Sequence, residues 1–222
     1  IFIQSVSSEI VTDDNFLLDT KVAEKIQKDI LRLLNVNDGQ IIVYIQNKDS
    51  LKQLITKIYK ERPSFTLHQE YLEIHASLSD KEEVEVQKYQ NQVKVVFMTA
   101  SASRGLSFPN TKHILVQIPG FQIEQNLMEI IQVIYRGRGG GLDKGEKNLT
   151  FYLSDKAIYY PKKVDEDGKR LSADESEKLA NLSLQEACLN VLNILIILKA
   201  SIMTRIMGSG EIGRKQYVII PI

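Results

Sequence analysis

Two stretches decide the fold. The first is Val95-Val96-Phe97-Met98-Thr99-Ala100-Ser101-Ala102-Ser103-Arg104-Gly105-Leu106-Ser107, and the second is Ile131-Gln132-Val133-Ile134-Tyr135-Arg136-Gly137-Arg138-Gly139-Gly140-Gly141. In the first, an apolar run typical of a strand buried on both faces passes into small hydroxylated residues and an Arg-Gly turn. In the second, a helix with one polar face ends in two arginines on a glycine-rich hinge. Hydroxyls and backbone amides at a strand end suit phosphodiester oxygens, which are bound without reading sequence. Arginine keeps its charge and offers a planar fork of donors suited to a nucleotide phosphate.

Outward from these stretches, apolar strands alternate with amphipathic helices. Phe2–Val6 is a short apolar segment, and Asp19 is placed to cap a helix with Val22, Ile26, Ile30, Leu33 and Leu34 on one face. After the Asn37-Asp38-Gly39 turn, Ile41–Ile45 is a strand, followed by a helix that stops before Pro63. Tyr71–His75 is the next strand. Ser79-Asp80-Lys81-Glu82 is a capping box opening a helix to about Tyr89. Strands at Val93–Met98, Ile114–Ile118 and Leu149–Leu153, with a helix over Gln122–Arg136, complete an α/β parallel sheet flanked by helices. The expected domain is 1–161. A polar linker covers 162–181, and an appendage of one apolar helix and a terminal strand covers 182–222.

Composition sets further bounds. Residues of type AVILMFWYC make up 43%, enough for a real core, and 28 basic residues balance 28 acidic ones, so any positive groove must be local. One cysteine and three scattered histidines make neither a disulfide framework nor a structural zinc site, and no metal site is assigned. Charged and amide residues interrupt the apolar run at Val191–Leu198 too closely for a membrane span, so a buried helix, no membrane partner and an intracellular location are expected. The ends, Ile1-Phe2-Ile3 and Val218–Ile222, are apolar and suggest a piece of a longer protein.

In an open parallel sheet, ligands gather at the carboxyl ends of strands. Gln46-Asn47, His75-Ala76-Ser77, Thr99-Ala100-Ser101 with Arg104-Gly105, and Pro119-Gly120 all follow strands here. Gln125, Glu129, Gln132 and Arg136 share one helix face opposite an isoleucine stripe.

The order of these segments over Phe2–Leu153 resembles the C-terminal RecA-like domain of superfamily-two helicases of the DEAD-box and related kinds. Val95–Ser107 is similar to the family's apolar strand, Thr, small residues and Arg-Gly-Leu-Asp. Gln132–Gly139 is similar in part to Gln-x-x-Gly-Arg-x-Gly-Arg.

The resemblance implies a second motor domain. Gln46, Asn47, His75, Thr99, Ser101 and Arg104 would line a DNA or RNA track. Gly105, Ser107, Gln132 and Arg136 would face ATP, with Arg136 as an arginine finger and Arg138 as its possible second cation. An N-terminal RecA-like domain of the parent chain would hold most of the ATP and its Mg2+. Three positions depart from the family: Ser107 replaces Asp, Tyr135 replaces Gly, and Arg138 lies one residue before the place of the second arginine. No Gly-x-x-x-x-Gly-Lys-Ser/Thr loop or Asp-Glu box is present, so this piece alone is expected not to hydrolyse ATP. A non-catalytic RecA-like binding module is the alternative.

Overall fold

Neighbouring parallel strands need a crossover of about a dozen residues or more, and a helix is the usual way to supply it. A computed structural model describes residues 2–6, 20–75, 78–99, 106–118, 123–137 and 147–154, and five positions between 189 and 200. It contains β1 (Phe2–Val6), α1 (Thr20–Val36), β2 (Gln40–Tyr44), α2 (Lys48–Glu61), β3 (Tyr71–Ile74), α3 (Asp80–Tyr89), β4 (Val95–Met98), β5 (Thr111–Gln117), α4 (Ile123–Arg136) and β6 (Asn148–Ser154). The strands form one six-stranded sheet in the order β1-β6-β5-β2-β4-β3. Every pairing is parallel.

Side chains of adjacent strand residues point to opposite faces, so the apolar runs serve two cores at once. Ile41, Val43, Val95, Phe97, Leu115 and Tyr152 lie beneath α1 and α2. Ile42, Tyr44, Val96, Met98, Ile114, Val116 and Phe151 face Val86 of α3 and Ile130, Val133 and Ile134 of α4. Helices α1 and α2 cross where the chain advances toward the β3 edge, whereas α3 and α4 cross where it returns toward β1. Reversing both direction and face keeps all four crossovers of one hand, as the chirality of twisted strands requires.

One connection differs. The chain leaves β4 at its carboxyl end, passes β2, and enters β5 at its amino end. The described parts of that path, Thr99 and Leu106–Asn110, contain no helix.

Polar contacts fix the layers. At the amino end of the sheet the buried Gln40 side chain donates from Nε2 to the carbonyls of Gln90 (2.6 Å) and Val93 (2.9 Å), joining β2 to the chain before β4. The Tyr152 hydroxyl donates to Asp29 Oδ2 at 2.8 Å, tying β6 to α1. Ser79 and Glu82 form the capping box of α3 as its sequence predicts.

Most expected elements appear with boundaries shifted by a few residues. Strand β5 starts at Thr111, ahead of the expected Ile114, because the polar side chains of Thr111 and His113 are buried in register with Gln40, Ile41 and Asn148. The linker and most of the appendage lie outside the described residues. Leu189, Leu192 and Ile196 are helical but exposed. The expectation of a buried helix fails at these three positions, whose helical spacing puts them on one face that the described residues leave uncovered. Among the described residues no helix is long and apolar enough to cross a membrane.

The Arg62–Glu70 pair gives a pH test. Arg62 Nε and Nη2 each donate to the Glu70 carboxylate at 2.7 Å, and this holds the carboxyl below its ordinary value of 4.5. A depressed folded-state pKa stabilises above the unfolded value, and that stability is lost as pH falls through the folded one. Glu70→Gln is expected to lower stability at pH 7 by roughly 1 kcal/mol, the upper range for a partly exposed ion pair. Urea titrations should show this difference shrinking below pH 4.5.

Candidate nucleic-acid interface

The ladders continue one residue beyond the strands on the β3 side of the sheet. Ile45 N–H donates to Met98 O (3.0 Å) and Thr99 N–H donates to Ile74 O (3.2 Å). The chain ends of β2, β4 and β3 therefore finish at one level, and Gln46, His75 and Thr99 leave the sheet together. His75 Nδ1 lies 3.1 Å from Thr99 Oγ1. Its other nitrogen, Nε2, lies 3.4 Å from Glu73 Oε2. Gln46 is half-buried and Asn47 exposed. Asn47 also caps α2, its Oδ1 accepting from Ser50 N–H at 2.9 Å. The plain capping role is thus fulfilled by the amide oxygen, while the NH2 is the half that suits a phosphate.

The opposite end of the sheet holds the second group. Helix α4 runs back against the strands, so its C-terminus meets the start of β5. The Arg136 carbonyl accepts from Phe108 N–H at 2.8 Å, and Arg136 Nη1 donates to the Leu106 carbonyl at 2.7 Å. Ser107, which is exposed, is bracketed by the two contacts. Burial lowers the proton affinity of the Arg136 guanidinium, which nevertheless stays charged at any ordinary pH. Gln132 is exposed one turn earlier. Midway along α4, the polar face predicted from sequence engages the sheet: the buried Tyr44 hydroxyl donates to Glu129 Oε2 at 3.1 Å. Burial first, then the Glu129 carboxylate, raises the Tyr44 pKa well above its ordinary 10.0.

The described members of the two expected sets fall at opposite ends of the sheet. His75 and Thr99 touch at the carboxyl end, with Gln46 and Asn47 beside them, whereas Ser107, Gln132 and Arg136 gather toward the amino end. The carboxyl-end rule locates only the first group. Arg136 is tied to Leu106 by its Nη1. Ser101, Arg104, Gly105 and Arg138 lie outside the described residues. Glu73 escaped sequence reasoning because an acid within a strand looks like an ordinary polar position; its place two residues before His75 was the available signal.

A parallel sheet with this strand order, polar at one end and bearing a helix-terminal arginine at the other, defines a RecA-like domain. The sequence profile of the helicase conserved C-terminal domain matches residues 23–140, more than half of the chain, and the chain belongs to that family. No curated protein matches the sequence. Among solved structures it is similar to Mss116p DEAD-box helicase domain 2 bound to an RNA duplex, with a TM-score of 0.51 and 14% identity over 92% of this chain and 77% of that one. S. cerevisiae Dbp5 bound to RNA and ADP BeF3 gives 0.49 and 13%, covering 89% of this chain and 39% of that one. The C-terminal part of the Fun30 ATPase domain gives 0.47 and 10%, covering 84% and 55%.

Gly137 explains why the turn after Arg136 needs no side chain. A Cβ there would lie 2.8 Å from Ile114 Cδ1 and 3.2 Å from Thr111 Cγ2. Gly137→Ala is expected to cost about 1–3 kcal/mol, the range for overpacking a dense core. Ile114→Val removes the closer atom and should recover part of that loss in the double variant, measured by thermal or urea denaturation.

Proposed function

We propose that this chain is the second motor domain of an ATP-dependent nucleic-acid helicase or translocase. Gln46, Asn47, His75 and Thr99, with Ser101 and Arg104, form part of a track for DNA or RNA. Gly105, Ser107, Gln132 and Arg136 face ATP across a cleft, and the N-terminal RecA-like domain of the same parent holds most of the ATP and its Mg2+. Arg136, aided by Arg138, is the arginine finger.

The observation that carries this reading is the β4–β5 connection. It starts at Thr99, in contact with His75, and ends at Leu106–Phe108, bonded to Arg136. One continuous segment thus touches both groups, which is what coupling a strand-binding event to a distant cation requires. The RNA duplex bound by Mss116p domain 2 supports assigning the track to a nucleic acid.

The described residues fit half of a nucleotide site. An exposed hydroxyl at Ser107 stands beside a permanent cation, although position 107 offers no carboxylate. Bound ATP would supply the phosphoanhydride, and the guanidinium would neutralise charge spread over the transferring phosphoryl group. Of its five donors, Nη1 already bonds Leu106 O, which fixes the guanidinium against the segment that it must sense.

A second reading, a binding module without turnover, is favoured by Ser107 and by that inward bond. The two separate cleanly. The chain alone should bind labelled RNA or DNA, more weakly at about 200 mM than at about 50 mM salt, as phosphate neutralisation demands. It should not hydrolyse ATP. In the parent, Arg136→Ala should reduce turnover about a thousandfold or more while ATP binding persists. Arg136→Lys and a thermal melt control for the lost Leu106 contact. Turnover by the chain alone contradicts the half-site, and parent turnover indifferent to Arg136→Ala favours the module.

A further inference from the structure

The polar end of the sheet lies between two helices of opposite charge. The carboxyl end of β2 runs directly into α2, and that of β3 leads to α3 on the other face of the sheet. Helix α2 carries four lysines against Asp49 and Glu61, whereas α3 carries four carboxylates against Lys81 and Lys88. The whole chain balances 28 basic residues with 28 acidic ones, so this local contrast sets the field that a polyanion meets there. A strand of nucleic acid leaving Gln46, His75 and Thr99 is repelled over α3 and drawn over α2.

Helical spacing orders what that strand would meet. Ser50, Leu51, Leu54, Ile55 and Ile58 form the buried face of α2. Lys48, Lys52 and Tyr59, at i, i+4 and i+11, follow one another along a single exposed flank. At 1.5 Å per residue they span about 16 Å, starting beside Asn47. Lys25, Arg32, Arg62 and Lys112 each have a carboxylate within 3.6 Å, yet among the described residues Lys48 and Lys52 have no such partner. Glu82 feels the charges of both Lys48 and His75, so this flank opens on the polar end of the sheet. Tyr59 is 49% exposed. A half-exposed aromatic ring beside unpaired cations can hold an unpaired base by stacking, whatever the base.

We infer that a single strand continues from the track along this flank of α2, with Lys48 and Lys52 neutralising its phosphates and Tyr59 stacking on one unpaired base. The inference rests on the nucleic-acid reading above and adds the path that the strand takes on leaving the sheet. An ammonium group acts on phosphate as a point charge and reads no sequence. The flank therefore binds a strand without sequence preference.

The test is fluorescence anisotropy of the 222-residue chain with a labelled oligouridylate between about 50 and 200 mM salt. Each lysine that neutralises a phosphate of a single strand contributes about 0.7 to the slope of log affinity against log salt. Lys48→Gln combined with Lys52→Gln should therefore weaken binding and flatten the slope by about 1.4. Lys48→Arg combined with Lys52→Arg should keep the slope. Lys28→Gln, a charge loss at an exposed site on α1, should leave it unchanged. Tyr59→Ala should lower affinity about five- to 150-fold at an unchanged slope, the range for one aromatic–base stack. Tyr59→Phe should bind like the unaltered chain. All the substituted positions are exposed, and thermal melts check that each variant stays folded. An unchanged slope in the double Gln variant, or affinity indifferent to Tyr59→Ala, overturns this path alone, with the track intact. Oligoglutamate of matched charge competing as well as the oligouridylate overturns the assignment of the flank to a nucleic acid. No binding by the unaltered chain at any salt overturns both the path and the nucleic-acid reading.

Discussion

The geometry of the molecule depends on a single requirement: β4 and β5 are parallel, and the chain between them must return the whole length of the sheet while passing β2. Strands rise about 3.3 Å per residue, so the seven residues of β5 make this a traverse of roughly 20 Å. The other crossovers spend that distance on a helix packed against the sheet. Here the segment arrives at Leu106–Phe108, where Arg136 closes on it with a side-chain and a backbone hydrogen bond. Leu106 and Phe108 are buried while Ser107 between them is exposed, so apolar anchors flank an exposed hydroxyl.

This arrangement accounts for the spacing of chemistry in the chain. A hydroxyl at one end and a guanidinium contact at the other belong to one short stretch of sequence, yet they sit at opposite ends of the sheet. Rigid β2 between them, buried on both faces, keeps the ends from collapsing together. Tyr44 adds a lateral tie, because its hydroxyl bonds Glu129 on the helix that carries Gln132 and Arg136. A shift of α4 is therefore resisted at its middle as well as at its end.

Much of the architecture was legible because local and tertiary signals agree. Ile41–Ile45 is apolar at every position since both faces of β2 are covered, and the Ser79–Glu82 box states the start of α3 outright. Gln40 and Thr111 were missed as strand residues because burial of a polar side chain is justified only by partners remote in sequence. The candidate site could be read from the sequence as residue types but not as geometry. Nothing in the sequence places Thr99 beside His75, since that contact follows from β4 lying against β3. Nor does sequence reveal that Arg136 turns inward to Leu106, a contact set by where the β4–β5 connection ends.

Amide hydrogen exchange at Phe108, whose N–H is bonded to the Arg136 carbonyl, measures the coupling between the two ends most directly. The account predicts that an RNA duplex added to the chain slows exchange at Thr99 and, through the shared segment, at Phe108 as well. Protection confined to Thr99, with Phe108 exchanging at the same rate with and without the duplex, would contradict it.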